Sequence, residues 1–249
     1  MAVVSRWVAG VDGCRGGWCL ALGDASSSQG IRIKCAVFPT FAEAVDAAAD
    51  AADIAVDIPI GLTDGGPREC DRLARAALGP RACCVFPAPP RSILAVLAAK
   101  PYAEAKRFYK DHCGQGLTVQ AFGIMPKIAE VDDYLRAQPG VRDRVWEVHP
   151  ELCFRVLNGG APLMVGKKKA EGLKARRALL APFVADLERV VREALAAQPR
   201  RVLQEDDVLD AMVACVTAAT WVPEATLPGP RPPVDYCGLR MEMRCPASV

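Results

Sequence analysis

Short apolar runs separated by turn residues open the chain. Residues 7–12 (WVAGVD) stop at a Gly-rich turn and residues 18–22 (WCLAL) resume the run, which predicts two strands joined by a tight turn. After the loop Ser26-Ser27-Ser28-Gln29-Gly30, residues 31–38 (IRIKCAVF) alternate apolar and polar positions, as a half-buried strand does. Three successive strands predict an antiparallel meander. Thr40 can cap a helix through the Ala-rich stretch 41–52, and residues 53–58 (DIAVDI) read as a buried strand closed by Pro59 and Gly61. Strand, helix and strand at this length predict a crossover that lays the fourth strand parallel to an earlier one.

From 62 to 142 the pattern changes to polar, helical segments broken by Pro80, Pro87, Pro89, Pro90, Pro101 and Pro126, the mark of a helical insertion packed on the main sheet. Within it, residues 68–78 (RECDRLARAAL) predict a helix with Arg68, Asp71, Arg72 and Arg75 close to one face. A fifth strand is expected at 145–149 (VWEVH), ended by Pro150. A long helix over 168–197 follows, kinked or divided by Pro182. The last helix, 205–222, is apolar nearly all round after Asp210 and is therefore buried. A Pro-rich segment, 223–249, closes the chain, with 238–243 (GLRMEM) able to add a short edge strand. The expected architecture is α/β in one domain over 1–249: a mixed sheet of three antiparallel strands followed by parallel strands, flanked by helices.

At 249 residues and 51% apolar composition the chain can bury a sizeable core. No segment has the make-up of an export signal or the ~20 apolar residues of a bilayer span, so the expectation is a cytoplasmic protein with no membrane partner. Eleven cysteines form an odd count with no export signal, which favours reduced thiols over a disulfide framework. Their spacing does not suit structural zinc: Cys83 and Cys84 are adjacent, and His112-Cys113 stands alone. A net charge of +2 makes no global case for nucleic-acid binding, so any such case rests on local patches.

Acidic residues supply the candidate chemistry. Asp12 ends the first strand at Gly13-Cys14-Arg15-Gly16-Gly17, where backbone amides can approach an anion; alone it also reads as a solvated turn aspartate. Asp57 lies among aliphatic neighbours, where an ionised carboxylate is rarely left without a cation, although a capping role before Pro59 is the alternative. Glu147, His149 and Glu151 share one nominal side of the fifth strand's end. Glu205, Asp206, Asp207 and Asp210 open the last helix; its N-terminal dipole explains Asp206 and Asp207 but not Asp210, one turn further in. Gathered together, such charges repel by about 4 kcal/mol per pair at 4 Å and an effective dielectric of 20. A cluster of this kind needs cations, and oxygen-only ligands favour Mg²⁺ or Mn²⁺ over zinc.

The ordered segments Gly10-Val11-Asp12-Gly13-Cys14-Arg15-Gly16-Gly17-Trp18, Asp57-Ile58-Pro59-Ile60-Gly61-Leu62, Glu147-Val148-His149-Pro150-Glu151 and Asp206-Asp207-Val208-Leu209-Asp210-Ala211 resemble domain of unknown function 429, an uncharacterised family described as predicted RNase H-like nucleases. The likeness also takes in residues 68–75 and 126–132 and spans nearly the whole chain. That family is similar in outline to Holliday-junction resolvases and ribonuclease H, with acids on the first strand, the fourth strand and the last helix. The resemblance implies an RNase H-like fold and a metal site at Asp12, Asp57, Asp207 and Asp210. Two departures stand out: Asp replaces the Glu often found on the fourth strand, and a long insertion separates that strand from the fifth.

The resulting expectation is a nuclease with two Mg²⁺ or Mn²⁺ ions bridged by Asp12, one held by Asp57 and the other by Asp207 or Asp210, activating water against a phosphodiester. Glu151 or His149 would orient that water or relay protons. Arg15, Gly16, Gly17, Arg68, Arg72, Lys127 and Lys168, the last in the run Lys167-Lys168-Lys169, are candidates for holding the phosphates of DNA or RNA; for the lysine run an exposed helix start is the alternative. Two rivals remain. One is a nucleotide-dependent phosphotransferase of the actin and sugar-kinase type, for which only Asn158-Gly159-Gly160 approaches a second phosphate loop. The other is a non-catalytic nucleic-acid-binding protein, compatible with 6% aromatic residues and the modest charge.

Overall fold

The alternating runs at the start of the chain form a hairpin. In the computed structural model, which describes residues 6–114 and 116–247, β1 (Trp7–Cys14) pairs antiparallel with β2 (Gly17–Asp24), so Arg15 and Gly16 make the turn. The meander closes with β3 (Arg32–Phe38). Thr40 caps α1 (Phe41–Ala47) through a reciprocal box with Glu43. β4 (Asp53–Val56) then runs parallel to β1, and β5 (Val145–Glu147) parallel to β4, giving the order β3-β2-β1-β4-β5.

Period-2 alternation sends each strand's side chains to two separate cores. After β4 comes α2 (Glu69–Leu78), which packs in a third, smaller cluster with Leu152 and Met243. Ala9, Val11, Leu20, Ile54 and Val56 face α1 and the helices beyond α2, namely α3 (Arg91–Ala98), α4 (Tyr102–Cys113), α5 (Val119–Ala137) and the short α6 (Pro139–Arg142). Pro126, expected to break this region, lies inside α5. On the other side, Val8, Cys14, Cys19, Ala21 and Ala55 pack against α7 (Pro150–Leu157), α8 (Ala170–Leu180), α9 (Leu187–Ala196) and α10 (Glu205–Thr220). α10 is buried nearly throughout from Val208 to Ala218, as its continuous apolar character predicts.

The helix anticipated over 168–197 is divided around Pro182, one of its two expected forms, into α8 and α9, and the stretch between them leaves the helical path to meet the edge of the meander. There Ile31 donates to Phe183 O at 2.7 Å and Ala185 donates to Ile31 O at 3.0 Å. One expectation changes: the segment 238–243 adds no strand to the main sheet. β7 (Met243–Arg244) pairs with β6 (Thr226–Leu227) in a two-stranded ribbon, and Arg244 makes a single parallel bridge to Val148, just past β5. Among the described residues no helix is long and apolar enough to cross a membrane.

Candidate functional site

β1 meets the backbone of α10 directly at Gly10. A Cβ there would lie 2.1 Å from Ala211 O and 2.2 Å from Cys215 N, so only glycine lets β1 rest on the helix backbone. Asp12, two residues on, points to the same face and therefore toward the N-terminal turns of α10. The parallel register brings Asp57 alongside: Val11 pairs with Val56, and Asp57 N donates to Val11 O at 2.9 Å. Sheet register and one glycine thus carry two distant aspartates to the start of the last helix.

That helix supplies the others. Gln204 is its N-cap, and Asp207 accepts from Gln204 N at 2.9 Å, which commits one Asp207 oxygen to the cap. Asp210 is 1% exposed. Its Oδ2 accepts from Lys167 Nζ at 2.5 Å, while its Oδ1 is buried with no hydrogen-bond partner. Lys167 also lies 3.9 Å from Asp206, and Lys168 lies 4.0 Å from it.

The proton affinities reflect this crowding. Burial raises Asp12 well above its ordinary range; Asp57, Asp210 and Asp207 raise it further, and Lys167 opposes them. Burial pushes Asp57 up to about 6, with Asp210 adding to the rise and His149, Lys167 and a hydrogen bond from Asp12 working against it. Asp207 is likewise pushed up to about 6 by burial, then by Asp206 and Asp210, against the Gln204 amide and Lys167. Protonated Asp57 and Asp207 therefore favour the folded chain. Their contribution is complete below the ordinary value of 3.8 and is lost as pH rises through about 6.

A family model matches residues 10–234, most of the chain. The chain belongs to the family described as Protein of unknown function (DUF429). No curated protein and no solved structure matches it.

Several residues singled out in this DUF429 chain serve other purposes. Arg68, expected to hold phosphate, is 2% exposed and donates to both oxygens of Glu147, at 2.7 and 2.9 Å, and to both of Asp71. Its guanidinium is fully occupied in fastening the insertion to the end of β5, and Glu147 stays outside the cluster with it. Arg72 lies on the exposed side of α2, paired with Glu69 at 2.5 Å. Glu151, expected to orient water, accepts from the buried Arg176 and is turned away by its place in the first turn of α7. His149 stays beside Asp57, and its Nε2 lies 3.2 Å from Cys84 O.

Around the rim, Lys127 Nζ donates to Gly17 O at 2.5 Å and lies 4.2 Å from the centre of the Trp18 ring. Its charge reaches Asp12 and Asp207. Gly16 N is committed to Val202 O at 3.0 Å, and Arg15 is exposed beside it. Lys168 and Lys169 are exposed, as a helix start should be, whereas Lys167 turns inward. Lys167 is the residue the sequence reading undervalued; its one signal was its place after Gly166, just outside the helix. The Asn158-Gly159-Gly160 turn ends α7, and its three amides donate to Phe154, Val156 and Arg155 carbonyls, leaving none for a phosphate.

Among the described residues, no three His, Cys, Asp or Glu side chains form a ready-made metal-ligand group. Of the four acids, Asp207 has one oxygen committed to the helix cap and Asp210 has one on Lys167.

Proposed function

We propose that this chain is a divalent-metal-dependent nuclease with an RNase H-like fold, hydrolysing phosphodiester bonds of DNA or RNA at the Asp12, Asp57, Asp207 and Asp210 cluster. One observation carries the reading: Asp210 Oδ1 is buried, without a partner, beside carboxylates drawn from β1 and the end of β4. A buried anionic oxygen left unmatched is costly and calls for a cation. The sheet order, with a meander followed by two parallel strands and the last helix on the first strand, supports the fold assignment.

The donor set is oxygen only and suits Mg²⁺ or Mn²⁺, which need as few as one or two carboxylates beside water and substrate phosphate. Asp12, Asp57 and Asp210 would hold it, with Asp207 at the rim. When bound, such an ion supplies charge stabilisation and a water of lowered pKa. The chain's own groups would do the rest: Asp12 and Asp57 lie near enough for one to raise the other's proton affinity, and His149 would serve as the proton relay beside Asp57. Lys127, whose charge reaches Asp12 and Asp207, and Lys168, 4.0 Å from Asp206, put positive charge beside the cluster that phosphates would fit, with the exposed Arg15 of the β1–β2 turn as a further candidate.

A cleavage assay with Mn²⁺ and Mg²⁺ on branched and single-stranded DNA and RNA tests the proposal. Wild type should cleave, and Asp12→Asn and Asp210→Asn should each lose about 100-fold or more, since even partners of metal ligands are worth 10–100-fold. Equal cleavage by all three proteins, or full activity with a chelator, would reject it. A second reading, cation-independent nucleic-acid binding, draws on the Lys167–Asp210 pair, which neutralises part of the cluster without an ion. Binding without cleavage under every condition would favour that reading.

A further inference from the structure

The geometry points to Lys167 as a built-in occupant of one of the two cation positions expected here, so that the site takes a single divalent ion between Asp12, Asp57 and the free Oδ1 of Asp210. This inference rests on the nuclease reading and replaces its pair of ions with one ion and one ammonium.

Three observations support it. First, the ammonium is already seated among the carboxylates: Lys167 Nζ lies 2.5 Å from Asp210 Oδ2 and 3.9 Å from Asp206. A second divalent ion on that side would meet both the positive charge and an oxygen already bound. Second, the other α10 acid able to complete such a position, Asp207, has one oxygen fixed on Gln204 N. What remains free and buried is Asp210 Oδ1, on the opposite oxygen from the ammonium.

Third, the loop bearing Lys167 is anchored, which distinguishes it from a surface lysine that has folded over an acidic patch. Gly172 lies so close to this loop that a Cβ on it would come within 2.2 Å of Gly166 O. Lys169 N donates to Gly166 O at 3.0 Å, and Arg176 reaches Val165 O at 3.4 Å. Arg176 is itself fully buried and paired with Glu151. Glu151 and Arg176 are therefore positioning residues that hold the loop, and through it the ammonium, over Asp210. A preorganised cation of this kind loses little side-chain freedom when it acts.

Mn²⁺ titration of the metal-free full-length protein, with free ion followed by electron paramagnetic resonance, measures the number of ions per chain. Wild type and Lys167→Arg should each bind one ion, and Lys167→Met should bind two. Two ions of similar affinity in wild type would overturn the inference with no variant needed, so poor folding of Lys167→Met leaves the test intact. One ion in both wild type and Lys167→Met would also overturn it, while leaving the metal-dependent nuclease standing. No bound Mn²⁺ in any protein would remove both.

Discussion

Gly10→Ala is expected to cost about 3 kcal/mol or more of folding stability, at or beyond the upper end for overpacking a tight core. The added methyl would meet Ala211 O at 2.1 Å and Cys215 N at 2.2 Å. Both are backbone atoms of α10, so no rotamer change can relieve the clash. The helix must retreat from β1, and Asp210 must retreat from Asp12. Urea denaturation of Gly10→Ala beside Gly65→Ala provides the comparison, because a Cβ on Gly65 meets open space and should change stability by no more than about 0.5 kcal/mol. Similar midpoints for the two variants would mean that β1 and α10 are not in contact at this position.

Arg68→Ala should destabilise the chain by about 3–5 kcal/mol, the usual result of leaving a buried charge without its partner. Two carboxylates would be stranded, because Glu147 is 2% exposed and Asp71 is 1% exposed. Burial already pushes Glu147 up to about 7 despite Arg68, which lowers it, so removing the arginine raises it further. A folded value above the unfolded one means that stability falls as pH rises. The loss should therefore be larger at pH 8 than at pH 5 in paired denaturation curves. A change under about 1 kcal/mol at both pH values would show that the network is dispensable.

Local pattern carried much of this architecture. Alternation along residues 7–38 was enough for the meander, and the apolar run ending at Asp57 for the fourth strand, because a strand's two faces leave a direct trace in its sequence. The position of Asp210, one turn inside a buried helix, marked it as more than a capping acid. What escaped the sequence depends on contacts between distant segments. Arg68 and Glu147 are 79 positions apart, and neither has a local feature that names the other. Lys167 sits in a run of three lysines whose other two members are exposed, so only the anchored loop and the pairing with Asp210 tell it apart. The division at Pro182 was foreseeable from the missing amide, but the pairing of Phe183 and Ala185 with Ile31 required the fold.

Carbon-13 titration of labelled aspartates in the metal-free protein gives the most direct view of whether acids from the first strand, the fourth strand and the last helix share one neighbourhood. Asp57 and Asp207 should show midpoints near 6, with Asp12 raised as well, and Asp210→Asn should lower all three because its charge raises each of them. Midpoints near 3.8 for all of these carboxyls, unmoved by Asp210→Asn, would contradict the convergence on which the candidate site rests.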